Sequence, residues 1–139
     1  DLYGVEALLR YNSKTRGKVF PDEFIPVLEQ SGLIKNVGMW VLEQALLQCK
    51  EWRKRIPNLH VSVNFSALQF EDNYLAENVV EKIKEVGLTG DALTVEMTES
   101  VEIHNSKQIM NAIKYLNYSS VFSHSQAFFR HFFKAVLVF

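Results

Sequence analysis

A single cysteine, Cys49, stands in the 139 residues. An intrachain disulfide is therefore excluded, and a reducing cytoplasm is the expected compartment, or the cytoplasmic part of a membrane-anchored parent. No run reaches the roughly 18 apolar residues that a membrane helix needs, and the first residues lack a basic stretch followed by an apolar one. Charge of one sign is also missing: 15 basic against 16 acidic residues leave a net charge of -1, which gives no electrostatic case for a nucleic acid polymer or an anionic membrane. The four histidines, His60, His104, His124 and His131, show no paired spacing of the kind that holds zinc. With three prolines and six glycines, no low-complexity linker interrupts the region up to residue 116, and no internal repeat is visible.

What remains is globular composition, 47% apolar and 22% charged, in a chain long enough for one ordinary domain of about 100–150 residues. From Val5 to Arg10 apolar and polar residues alternate as on a strand, with Glu6, Leu8 and Arg10 on one side. Residues 12–18 read as a surface turn. A short helix is expected over 24–30, ending at Gly32, and a longer one over 37–54 with Asn36 as its cap. Trp40, Trp52 and Cys49 read there as packing residues. A second strand, 60–66, sets Val61, Val63 and Phe65 against Ser62, Asn64 and Ser66. Ser66 and Gln69 have capping-box spacing, and Asn73 can start a helix whose stripe is Leu75, Val79, Ile83 and Val86, stopped by Gly87. The third strand, 93–98, sets Leu93, Val95 and Met97 against Thr94, Glu96 and Thr98. A helix from about Ser106 follows, carrying Ile109, Ile113 and Leu116. Strand and helix alternate three times over short links, the pattern of a parallel sheet with crossover helices.

In barrels of this kind chemistry sits at the carboxyl ends of the strands. Glu6, Asn64 and Glu96 each place one oxygen-bearing side chain on such a strand, and carboxylate and amide oxygens are hard ligands suited to Mg or Mn. Taken singly, each has a plainer reading: Glu6 with Arg10 as a strand ion pair, Asn64 as a turn or cap, Glu96 as a solvated strand end.

Taken in order with their flanks, the segments EALLR at 6–10, PDEFIPVLEQSGLI at 21–34, GMWVLEQALLQ at 38–48, SVNFSALQF at 62–70 and VEMTES at 95–100 resemble the amino-terminal half of the EAL domain, a bacterial family that hydrolyses the second messenger cyclic di-GMP. The resemblance covers about residues 4–116 and implies an α/β fold, a partial, truncated TIM-type β/α barrel of the EAL type, whose first strand in the family runs antiparallel to the rest. By that resemblance Glu6, Asn64 and Glu96 are metal ligands, Leu8 and Arg10 touch the substrate, and Glu99 supports a nearby loop. It further implies a two-metal Mg or Mn site, cyclic di-GMP as ligand, and a sensor or cyclase domain in a longer parent.

After Leu116 the family's D-D-F-G-T-G-Y-S-S-L motif and its later lysine, glutamate and glutamine do not appear. The metal site is therefore expected to be incomplete, the chain inactive by itself, and its contact with cyclic di-GMP weak or absent. A division follows: an EAL-like half-domain over 1–116 and a tail over 117–139. Six of the ten phenylalanines lie between Phe122 and Phe139. That tail reads either as an amphipathic segment covering the open barrel or meeting a membrane surface, or as unrelated residues joined by a shifted frame or early stop. Alternatives to a phosphodiesterase fragment are a catalytically dead nucleotide- or protein-binding module and a non-functional truncation that self-associates through unpaired strand edges.

Overall fold

The computed structural model of the chain describes residues 4–97 and 107–125, the last four by backbone alone. Its main sheet has four strands in the order β1 (Gly4–Ala7), β4 (His60–Phe65), β5 (Leu93–Met97) and β6 (Phe122–Ser125). All neighbouring pairs in it are parallel. The antiparallel first strand that the resemblance implies is thus not found in this sheet among the described residues. Parallel pairs require crossovers, and these are α2 (Ile34–Arg53), α3 (Leu75–Val86) and α4 (Lys107–Tyr118).

The apolar parity of the strands decides which face the helices cover. Val61, Val63, Phe65, Leu93, Val95 and Met97 join Leu42, Leu46 and Cys49 of α2, Val79 and Ile83 of α3, and Ile109 and Leu116 of α4 in one buried core. Successive strand residues point to opposite faces, so Glu6, Ser62, Asn64, Thr94 and Glu96 are left on the other side.

Several local expectations need correction. Residues 12–18 are not a plain turn: β2 (Tyr11–Ser13) and β3 (Gly17–Val19) form an antiparallel hairpin, with Gly17 at φ +71° closing it. The strand expected over 5–10 stops at Ala7, which leaves Leu8 and Arg10 beyond its end. Helix α1 (Pro21–Gln30) begins at a proline, whose missing N–H costs nothing in a first turn. Asn36 is no cap, because α2 already starts at Ile34; the buried Ile34 gains more from packing inside the helix than a side-chain cap two residues later would supply. Of the core or helix-packing roles expected for Trp40, its 42% exposure leaves only the second. Cys49 is fully buried, and burial pushes its thiol above the ordinary value, as inert packing requires.

Candidate functional site

The register of the sheet builds the site. Glu6 stands beside Ser62, and Ser62 beside Thr94. One rung further toward the carboxyl ends, Asn64 stands beside Glu96, and Glu96 beside position 124. Glu6, Ser62, Asn64, Thr94 and Glu96 share the face opposite the helices. Asn64 Nδ2 donates to Glu6 Oε1 at 3.0 Å, linking the two rungs diagonally. Glu6 and Asn64 are half-buried, while Glu96 is 4% exposed. Its burial rules out the solvated strand end that Glu96 suggests when read alone.

Leu8 and Arg10 leave the sheet at the same end. Arg10 Nη1 donates to the Leu9 carbonyl at 2.9 Å, and no ion pair between Arg10 and Glu6 is found among the described residues. Instead Arg10 and Leu8 line a cavity of about 230 Å³ together with Asn64, Glu29, Ser66 and Gln69. A larger cleft of about 630 Å³ runs between the β2–β3 hairpin and helices α1 and α2, lined by Tyr11, Phe24 and Trp40. Both cavities are lined by Arg10, but only the smaller one reaches one of the three oxygen donors, Asn64; Glu6 and Glu96 line neither.

The donor set suits a hard divalent cation. Glu6 and Glu96 supply carboxylates and Asn64 an amide oxygen, and magnesium is commonly held by one or two carboxylates while keeping several waters. The hydroxyl of Ser62, buried beside Glu6 without a hydrogen-bond partner, faces the same side and offers a further polar contact to such water. The residues present therefore fit part of a metal shell. No group of three or more His, Cys, Asp or Glu side chains gathers among the described residues. Glu99, expected to support a loop here, lies outside the described residues, as do His104 and His131.

Two contributors escaped the sequence. Gln69 was legible only as a helix cap, yet it walls the cavity that holds Arg10 and Asn64. The fourth strand β6 brings position 124 level with Glu96, although no family motif announces it. A strand is held by backbone hydrogen bonds, which are blind to the missing side-chain signature. At the opposite end of the sheet, Arg53 donates to the Leu59 carbonyl at 2.6 Å and to Asp91 Oδ2 at 2.8 Å, tying α2 to the entries of β4 and β5. In such barrels that end serves stability rather than chemistry.

The EAL domain family model matches residues 1–125. The chain is 41% identical over 119 residues to the oxygen sensor protein DosP of Escherichia coli, covering 84% of this chain and 15% of that protein. It is 34% identical over 114 residues to the cyclic di-GMP phosphodiesterase PdeR of Escherichia coli, covering 82% of this chain and 17% of that one. Among solved structures, the PaMucR phosphodiesterase in complex with c-di-GMP superposes with a TM-score of 0.85 at 30% identity, over 96% of this chain and 54% of that chain. The chain thus spans less than a fifth of these curated relatives and about half of the solved domain.

Proposed function

The chain belongs to the EAL domain family, and on that premise we propose that it is the amino-terminal half of a metal-dependent cyclic di-GMP phosphodiesterase, carrying one side of the active site and inactive by itself. The observation that carries this reading is the meeting of Glu6, Asn64 and Glu96 on adjacent parallel strands, with the Asn64–Glu6 hydrogen bond at 3.0 Å fixing two of them together. Glu6, Asn64 and Glu96 would hold part of the shell of a divalent cation, which in the complete site would polarise a phosphate and activate water for hydrolysis to the linear dinucleotide. The chain's own residues hold and orient. Glu6 and Glu96 offer carboxyl oxygens, Asn64 sets the carboxyl of Glu6 by donating to it, and Arg10 can present its planar fork to a phosphate oxygen pair. Leu8, at the mouth beside Arg10, gives an apolar surface for a guanine.

Glu99 is assigned the support of an adjoining loop. We place the division between the half-domain with the clearest family flanks and the phenylalanine-rich tail between residues 116 and 117, although the family model's match runs on to residue 125. Strand β6 lies beyond that line, and its pairing with β5 is of a kind that any extended segment can make. No helix among the described residues is long and apolar enough to cross a membrane. A sensor or cyclase domain and cyclic di-GMP signalling belong to the longer parent in this reading.

The assay is direct. The purified 139-residue chain, given cyclic di-GMP with Mg²⁺ or Mn²⁺, is expected to show no turnover. Metal-dependent hydrolysis that Glu6→Ala abolishes would overturn the assignment of inactivity. Calorimetric titration with cyclic di-GMP decides the alternative of a catalytically dead binding module, which the gathering of Leu8, Arg10 and Asn64 around one cavity favours. Translating the encoding DNA downstream of Lys107 in all three frames decides fragment status: a second frame carrying the missing aspartate motif identifies a shifted reading frame.

A further inference from the structure

Gly38 lies inside α2, where glycine weakens a helix relative to alanine, and it does not have the positive φ that would require it. Space is what requires it. A Cβ at position 38 would stand 2.0 Å from Nε2 of Gln69 and 2.9 Å from its Cδ. Gln69 is 2% exposed, and its Nε2 is buried with no hydrogen-bond partner. The other end of the same carboxamide is in use: Ser66 N–H donates to Gln69 Oε1 at 2.9 Å. Ser66 is two residues beyond Asn64, at the point where β4 leaves the sheet. Asn64, Ser66, Gln69 and Gly38 all line the cavity that holds Arg10.

We infer that Gln69 is a positioning residue: seated in the notch at Gly38, its carboxamide fixes the Ser66 amide and thereby holds Asn64 where Nδ2 meets Glu6 and the backbone stands beside Glu96. The orphaned Nε2 is explained by this. Burying an amide donor without a partner is unfavourable, and it is tolerated where the steric fit against Gly38 sets the depth of the other end. A methyl group at position 38 cannot be absorbed by rotating the tip alone, because Cδ is also too close. The carboxamide must shift, and because Gln69 is only 2% exposed we expect that shift to weaken the Ser66 contact.

The importance of Asn64 rests on the metal-binding reading above, so the test has two readouts. Hydrogen exchange resolved over residues 64–66 reports the latch, and Mn²⁺ affinity of the full chain reports the site. In Gly38→Ala and Gln69→Ala, exchange at Ser66 is expected to rise, and Mn²⁺ affinity to fall by about tenfold, the scale set by loss of an outer-shell partner. Gln69→Glu keeps an oxygen acceptor at capping-box spacing and is expected to retain the Ser66 protection. Gln69→Ala adds no atoms, so it tests the latch even where Gly38→Ala unfolds the chain. Unchanged exchange at Ser66 in folded Gln69→Ala overturns the inference. So does raised exchange with Mn²⁺ affinity untouched, since the latch would then hold the strand but not the donor. If wild type binds Mn²⁺ no better than Glu6→Ala does, the metal reading fails, and exchange alone decides the latch.

Discussion

Arg53 shows how one side chain can set an element's end. Its Nε and Nη2 reach the Leu59 carbonyl and Asp91 at once, with only 15% of the side chain exposed. The Asp91 carboxyl is held below its ordinary range by its hydrogen bond to Thr89 and then by Arg53. Because Asp91 is itself 55% exposed, solvent screens the pair, and Arg53→Met is expected to destabilise the chain by about 1–2 kcal/mol, the scale of charged hydrogen bonds discounted for exposure. Urea titration measures it. His60 lies close to this cluster. Burial, and then the charge of Arg53, lower its pKa below 6.5. The folded chain therefore keeps His60 neutral where the unfolded chain takes up a proton, so stability is full above pH 6.5 and declines as the pH falls through that value. His60→Gln is expected to flatten the melting temperature between about pH 7 and pH 5, and an unchanged slope would contradict it.

At the scale of elements, α3 is the helix whose buried stripe and carboxyl end follow most simply from local chemistry, while its amino end does not: it starts at Leu75, behind Tyr74 and without a side-chain cap, rather than at Asn73. Leu75, Val79, Ile83 and Val86 are buried along one stripe, and Gly87 ends it at φ +84°, in the left-handed region that a side chain resists. The Lys50 ammonium donates to the Val86 carbonyl at 2.7 Å just there, and a Cβ on Gly87 would stand 3.4 Å from its Nζ. Gly87→Ala is expected to cost about 1 kcal/mol, read as a lower denaturation midpoint without a change of slope. The amino end of α2 behaves oppositely. Asn36 offered a cap signal, yet the helix runs past it to Ile34, since burying an isoleucine outweighs a cap. The hairpin over 11–19 was hidden for a related reason: its strands are three residues each, mostly exposed, and too short for alternation to show.

For the whole molecule, the open sheet is the governing feature. Among the described residues β1 and β6 each pair on one side only, and unpaired parallel edges invite association. We expect the isolated chain to sediment as an associated species, with light scattering that rises with concentration. A sharp monomer with cooperative unfolding would show that these edges are protected. The same openness bears on chemistry. In the reading proposed above, one half of a barrel supplies the site, and the oxygen donors present would hold an ion only in part.

The sequence alone determined the alternation of β1, β4 and β5 with their helices and the parity that sends Val61, Val63 and Phe65 one way and Asn64 the other. Apolar periodicity is a local property, written within each segment. From residues 4–116 it also determined the family, because ordered flanks around Glu6, Asn64 and Glu96 are a one-dimensional signature. Tertiary structure decided the rest. It placed Asn64 level with Glu96 and bonded to Glu6, seated Gln69 against Gly38 across 31 positions of chain, and added β6 to the sheet without a motif. These depend on register and close approach between segments distant in sequence, and no local pattern encodes a distance between two strands or the room left for one missing methyl group.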